Sequence, residues 1–286
     1  MVKQKTLKSE ISCKGVALHS GRVTSLKLKP ASANHGIRVF RSDLLNGARE
    51  IDVSWKNVTD TKLATTVSNN HGAKIGTVEH LMAALAGCEI DNLLIEVDGP
   101  EIPIMDGSAD PFVFLIECAG IVEQEASRKA IRILKPIAVS KDDRFLSIAP
   151  AEKFSLNFEI DFDSSVVNRQ EKTFDLETSN FKSDIAKART FGFEKDVSEM
   201  LNAGLALGGS LDNAVVIGKD RVLNKEGLRY QDEFVRHKIL DCIGDLYLAG
   251  GPIIGSISAS RSGHELNHQL LKAIFADKDA WRQNSL

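Results

Sequence analysis

From Val235 onward, Val235, Ile239, Cys242, Ile243 and Leu246 are apolar at the spacing of one face of an α-helix. The opposite face carries His237, Asp241 and Asp245, each four residues after the last and stacked about one turn apart. The pattern predicts a helix over residues 232–250, with an imidazole above two carboxylates. A second helix is predicted from Thr77, as N-cap, through Ala86, with Gly87 closing it. Beyond His80 that helix is apolar all round, which marks it as buried. Further helices are predicted over Pro111–Ala119 and Glu265–Ala276, and Val197–Leu207 reads as a short helical, glycine-rich segment.

Between these helices lie short β-rich runs bounded by Gly, Asn, Asp and Pro. In the first part they are Thr24–Lys29, Ile37–Phe40, Ile51–Trp55, Leu63–Ser68 and Asn92–Val97. An acidic, proline-bearing turn, Asp98 to Pro103, follows the last of them. Strands resume at Ile131–Val139, Phe145–Ala149, Phe154–Ile160, Ala214–Ile217 and Ile253–Ala259. The polar, charged stretch Val122–Ala130 divides the two sets, so the expected domains are 1–125 and 126–286, the second with an apolar insert around 194–217. Val78-Glu79-His80 and Val235-Arg236-His237 each precede a strand and a further helix. Both halves then read as one α+β unit used twice, a sheet layered on helices, with chance similarity in a few residues as the competing explanation.

Composition narrows the class without deciding it. The 286 residues suffice for one large domain or two ordinary ones, and 43% hydrophobic with 26% charged residues is ordinary for a soluble protein. A net charge of −3 gives no reason to expect nucleic acid as a partner. The four cysteines, Cys13, Cys88, Cys118 and Cys242, show no Cys-x-x-Cys spacing and read as free thiols in a reducing compartment. The N-terminus lacks the apolar stretch of a signal peptide, and Pro111–Val122 is too short to span a bilayer and carries Glu117. A cytoplasmic protein with no transmembrane segment is expected.

The candidate chemistry is a split metal site. His237 and Asp241 alone also fit a solvated helix face, and Glu79 with His80 also fits a helix start favoured by the dipole. Together, His80, His237 and Asp241 make three ligands with an open fourth position, the plan of a catalytic zinc site. Glu79 then stands beside a ligand, where a base for water belongs.

Several ordered motifs carry a resemblance. They are Gly15-Val16-Ala17-Leu18-His19-Ser20-Gly21, Thr77-Val78-Glu79-His80-Leu81, Pro103-Ile104-Met105-Asp106-Gly107-Ser108 and Ala188-Arg189-Thr190-Phe191-Gly192-Phe193. Gly208-Gly209-Ser210-Leu211-Asp212-Asn213, Phe234-Val235-Arg236-His237-Lys238 and Ser262-Gly263-His264 continue it, nearly end to end. The chain resembles the UDP-3-O-acyl-N-acetylglucosamine deacetylases, zinc amidases at the committed step in making lipid A of the Gram-negative outer membrane.

The resemblance implies two similar α+β domains packed face to face, with the zinc site at their interface. It implies His80, His237 and Asp241 as ligands of one zinc ion, with iron(II) the alternative in cells. Glu79 becomes the general base and His264 the acid that protonates the departing amine, oriented by Asp245. Thr190 matches a hydroxyl that stabilises the oxyanion, and Lys238 a lysine that contacts the substrate. Phe191 is expected near the sugar, Arg144 near the diphosphate in place of a family lysine, and Asp161 with Phe162 at the uridine. His19, Leu63, Gly209 and Ser210 fall in matched segments and are expected at the substrate. The apolar segment Val197–Ile217 matches an insert that forms an acyl-chain tunnel. No glycine-rich phosphate loop accompanies them. The implied partner is the UDP-linked acylated glucosamine, hydrolysed to acetate and a free amine by a monomer.

Two departures from some members stand out, Ala64 in place of a cysteine near the zinc and Lys62 in place of a methionine at the rim. On residues alone, another zinc amidase or peptidase and a metal- or nucleotide-sugar-binding protein without turnover stay open. The long insert and Asp161-Phe162 favour the nucleotide-lipid substrate over a peptide. Glu79, His264 and Asp245 favour turnover, because a purely structural metal site needs neither base nor acid.

Overall fold

The computed structural model describes residues 1–45 and 49–286. In chain order the first half holds β1 (Lys3–Leu7), β2 (Ile11–Val16), β3 (Val23–Pro30), β4 (Ile37–Arg41), β5 (Glu50–Asp52), β6 (Val58–Asp60), β7 (Thr66–Ser68) and β8 (Lys74–Ile75). Helix α1 (Glu79–Gly87), β9 (Leu93–Val97), α2 (Asp110–Ala119) and β10 (Ile121–Ser127) complete it. The second half runs β11 (Lys129–Ile133), β12 (Ile137–Lys141), β13 (Arg144–Ala149), β14 (Ser155–Asp161), β15 (Arg169–Asp175), α3 (Thr178–Asn180), β16 (Phe191–Phe193), α4 (Glu194–Asn202) and β17 (Val215–Ile217). It ends with α5 (Glu233–Tyr247), β18 (Ile253–Ile254), β19 (Ser256–Ser260), α6 (His264–Ala276) and β20 (Trp281–Ser285).

Two five-stranded sheets share one topology. The first has the order β2-β3-β9-β4-β5 and the second β12-β13-β19-β14-β15. In each, the fourth strand in the order runs parallel to the central strand, β4 to β9 and β14 to β19, and all other pairings are antiparallel. A helix leads into each central strand and another follows it, α1 and α2 in the first unit, α5 and α6 in the second. The short echo between Val78-Glu79-His80 and Val235-Arg236-His237 is therefore the trace of a whole β-β-β-β-α-β-α unit used twice. The strands alternate as a sheet with one covered face must: Ile37, Val39 and Arg41 of β4 and Leu156, Phe158 and Ile160 of β14 point inward.

The helices fill the space beneath the sheets. All nine residues of α1 are buried, as its apolar sequence requires. Of the fifteen residues of α5, only Arg236 and Lys238 are not fully buried. Helix α5 packs on β14 and β15 of its own sheet and on α1 of the other unit. Gly244 makes that crossing possible, because a Cβ there would stand 2.0 Å from the Glu79 carbonyl oxygen.

Some sequence expectations need correcting. Thr77 is not an N-cap: it sits at φ 55 and its hydroxyl donates to Glu101 Oε1 at 2.9 Å, leaving α1 without a side-chain cap. Gly87 does not close α1 by a left-handed turn; that backbone belongs to Glu89, and Gly87 instead makes room for the Phe181 ring, 2.1 Å from where a Cβ would stand. The run Ile131–Val139 is two strands, β11 and β12, divided around Pro136, which has no N–H for a ladder. Ile253–Ala259 likewise divides at Gly255 into β18 and β19. Of Leu63–Ser68 only Thr66–Ser68 is strand; Leu63, at φ 64, belongs to a bend that runs over the head of α1. The charged stretch after Val122 is mostly strand β10, paired antiparallel with β1.

Candidate active site

The bend at Leu63, the head of α1, the middle of α5 and the head of α6 converge on one cleft of about 460 Å³. His80 is the second residue of α1, and His237 and Asp241 stand one turn apart on α5. The close crossing at Gly244 brings them together. His80 Nε2 lies 3.5 Å and His237 Nε2 3.3 Å from Asp241 Oδ1, and the rings of the two histidines meet edge-on. All three side chains are buried. A solvated helix face is therefore excluded for His237 and Asp241.

Their electrostatics suit a cation. The His237 Nδ1–H points at the Ala188 carbonyl, 3.1 Å away, and burial pushes the ring's pKa down to about 3, so it is neutral with Nε2 bare. That bare nitrogen faces Asp241 Oδ1, which has no hydrogen-bond partner among the described residues, and His80 Nδ1 has none either. Acceptors so placed repel unless a positive charge lies among them. Tetrahedral ligand atoms bound at about 2.0–2.2 Å would stand roughly 3.3 Å apart, near the spacings found here. His80, His237 and Asp241 fit a metal ion, and their ligand atoms lie within 4.8 Å of one another. Burial opposes the Asp241 charge, but the cationic groups beside it, the Lys238 ammonium 2.6 Å from Oδ2 and the His264 imidazolium, hold its carboxyl well below the usual range.

Glu79 and His264 stand beside this trio and close to each other. His264 Nε2 is 3.7 Å from Glu79 Oε1 and 4.0 Å from Asp241 Oδ2. Burial raises the Glu79 carboxyl above its ordinary value, against the pull of His264 and His80. For His264, burial opposes charge, yet Asp245 and then Glu79 outweigh it and hold the imidazolium up to about 9. The His264 Nδ1–Asp245 Oδ2 distance is 2.8 Å, which fixes the ring and leaves Nε2 facing the cleft.

The remaining expected residues divide into those that line the cleft and those that do not. His19, Leu63, Arg144, Phe162, Thr190, Phe191 and Lys238 line it. Thr190 is held by both backbone neighbours, its N–H on Gly107 O and its carbonyl on the Val215 N–H, each at 2.8 Å. Phe191 stacks edge-on against Phe162 and Phe234. Asp161, Gly209 and Ser210 lie outside the cleft lining: Asp161 pairs with Arg261, and the Ser210 N–H donates to Asn213 Oδ1 at 2.8 Å. The insert meets the first unit where Leu207 and Gly208 N–H groups bond the carbonyls of His19 and Leu18. Leu201, Leu207 and Leu211 on it are exposed.

Three further groups hold the site and carried no pattern signal. Thr65 donates to both Glu79 and Asp245. Glu101 accepts the N–H groups of His19 and Ser20, each at 2.9 Å, and so fixes the His19 loop. Buried Glu233 takes Arg189 Nε at 2.9 Å and the Arg189 N–H at 3.0 Å, which sets the Ala188 carbonyl where His237 needs it. Glu101 stood in a recognised acidic turn and Arg189 in a quoted motif, but no spacing rule links either to its partner.

The family model for UDP-3-O-acyl N-acetylglycosamine deacetylase matches residues 4–276. The chain belongs to the UDP-3-O-acyl-N-acetylglucosamine deacetylase family. It is 50% identical over 283 residues to the deacetylase of that name from Acidithiobacillus ferrooxidans, covering 98% of this chain and 92% of the relative. It is 51% identical over the same span and shares to the one from Actinobacillus succinogenes. The Aliivibrio fischeri relative is 48% identical over 288 residues, 100% of this chain and 94% of its own. The deacetylase family is one of amide hydrolases, and the cleft described above is the candidate place for that chemistry. No helix among the described residues is long and apolar enough to cross a membrane.

Proposed function

We propose that the protein hydrolyses the N-acetyl group of UDP-3-O-(3-hydroxyacyl)-N-acetylglucosamine in a zinc-dependent reaction, the committed step of lipid A biosynthesis. The observation that carries this reading is the convergence of a three-ligand metal trio, a buried carboxylate and a carboxylate-bound imidazolium on one cleft. The nearly full-length likeness to named deacetylases supports the substrate.

His80, His237 and Asp241 would hold the zinc ion, which when bound would supply Lewis acidity for the acetamide carbonyl and for water. Glu79, its affinity for a proton raised by burial, takes a proton from the attacking water as the new C–O bond forms. The Thr190 hydroxyl donates to the oxyanion, and Lys238 contacts the substrate beside it. His264, charged and oriented by Asp245, gives its proton to the amine nitrogen as the C–N bond breaks. The products are acetate and the free 2-amine, so atoms and protons balance.

Phe191 is placed at the sugar, Arg144 at the diphosphate, and Phe162 with Asp161 at the uridine. His19, Leu63, Gly209 and Ser210 are assigned to the substrate, and the insert around 194–217 to its acyl chain. The domains of this reading are 1–125 and 126–286, each holding one of the like-ordered sheets. All ligands and both proton-transfer groups come from one chain, so the proposed reaction needs no second copy; a cytoplasmic monomer completes the reading.

Metal analysis with an acetate-release assay tests the proposal. The purified protein should carry one zinc per chain and release acetate from the UDP-linked substrate. Glu79→Gln and His264→Ala should each keep the metal and lose about 100-fold or more in turnover. Near-native turnover in both variants, or zinc without acetate release in the wild type, would overturn it.

A further inference from the structure

Thr65 touches both carboxylates on which the proposed proton transfers depend. Its backbone N–H donates to Glu79 Oε2 at 3.0 Å, and its hydroxyl donates to Asp245 Oδ1 at 2.6 Å. Its carbonyl also takes the Val78 N–H at 3.3 Å, so the residue is pinned to the head of α1 from both sides of its peptide unit. It is 1% exposed, which keeps water from substituting for either bond.

This contact leaves both oxygens of Asp245 engaged. Its Oδ2 is the partner of His264 Nδ1 and accepts from Asn267 Nδ2, each at 2.8 Å, and Oδ1 takes the Thr65 hydroxyl. A carboxylate anchored at both oxygens cannot turn about its Cβ–Cγ bond without losing a buried hydrogen bond. The imidazole bound to it inherits that fixed plane. Thr65 belongs to the first unit and Asp245 to the second, so the bond spans the crossing of α1 and α5.

We propose that Thr65 is a positioning residue. Its hydroxyl sets the rotation of the Asp245 carboxylate, and with it the plane of His264, relative to Glu79. The inference rests on reading Glu79 and His264 as base and acid.

Thr65→Val in the zinc-loaded enzyme tests it, because valine keeps the shape and the backbone N–H and removes only the hydroxyl. Turnover should fall about 10- to 100-fold, with KM changed by less than about twofold and zinc content unchanged. A crystal structure of the variant should show the Asp245 carboxylate turned away from His264 Nδ1. Thr65→Ser, which restores the donor, should recover most of the turnover. The inference is overturned if Thr65→Val keeps more than about half of the wild-type kcat, if the Asp245–His264 pair is unmoved in its crystal structure, or if serine falls as far as valine. Should Thr65→Val not fold, Thr65→Ala takes its place: alanine well below serine supports the inference, and equal turnover in the two overturns it. A wild-type enzyme that releases no acetate overturns the deacetylase reading instead, and the crystallographic arm then decides the role of Thr65 alone.

Discussion

Helices α1 and α5 occupy the same place in two copies of one unit, yet they do different work. Each leads into the central strand of a five-stranded sheet with the same order and the same single parallel pairing. In α1 the polar groups are confined to Glu79 and His80 at its head, and everything after them is apolar. In α5 they repeat down the helix as His237, Asp241 and Asp245, all buried. A short helix that ends at the site delivers a base and one candidate ligand. A longer helix that runs past the site delivers two candidate ligands and, one turn on, the partner of an acid from a third helix. The repeated unit brings the two helices together, and the chemistry comes from the differences between the copies.

That comparison breaks most completely where the copies touch. Gly244→Val would place side-chain carbon against the Glu79 carbonyl, where even a Cβ stands at 2.0 Å. Both partners are helix backbone, so neither can yield locally, and the loss of stability should reach or exceed about 3 kcal/mol. Metal content should fall with it, because His80 moves away from His237 and Asp241. Gly87→Ala is the control: it meets the Phe181 ring, outside the cleft, and should destabilise the chain while leaving metal content intact. Urea unfolding and metal analysis on the two variants check the pair. Equal metal loss in both would mean that the crossing at Gly244 does not assemble the site.

A sharper division lies within α5, between the groups that hold a metal and the one that orients His264. Asp245→Asn should leave zinc content near one per chain while turnover falls about 10- to 100-fold. The same variant has a signature in the metal-free protein. His264 sits at about 9 when folded, against an ordinary 6.5. A raised folded value means that its contribution to stability is fully present below about 6.5 and is lost as pH rises through about 9. Over that window the metal-free wild type should lose roughly 3 kcal/mol, and Asp245→Asn, left with only the pull of Glu79 and Asp241, should lose distinctly less. Urea midpoints at three pH values on each protein give the two slopes, and parallel slopes would sink the assignment of Asp245.

How much of this was legible in the sequence follows the same line between local and long-range order. The i, i+4 spacing of His237, Asp241 and Asp245 is a property of one helix, so it could be read directly, as could the buried nature of α1. The edge strands β2 and β15 were missed because one side of each faces solvent and their hydrophobic content is thin. Thr77 was misread as a cap because its hydroxyl fits that role locally, and only the fold brings Glu101 within reach. Thr65 and Asp245 are 180 residues apart, and no periodicity connects them. The crossing itself was invisible, since Gly244 reads as a mild helix defect until α1 is laid against it.

The smallest effects belong to the rim, where neither helix reaches. Arg144 lines the cleft from β13, with Nη2 3.4 Å from Glu265 Oε2 and 3.7 Å from Asp142 Oδ2. Its side chain is about one-third exposed and Asp142 three-quarters exposed, so water and salt screen both pairs and neither holds the guanidinium firmly. Arg144→Lys keeps the charge and gives up only the planar fork. If the diphosphate is read by charge, KM for the UDP-linked substrate should rise less than about threefold, and Arg144→Glu should raise it well beyond that by setting like charges together. Steady-state kinetics at low and high salt separate the cases, since a screened charge contact weakens with salt and a geometric one does not. A fall in kcat without a change in KM would place Arg144 with the buried groups, and the line drawn here between rim and helix crossing would have to move.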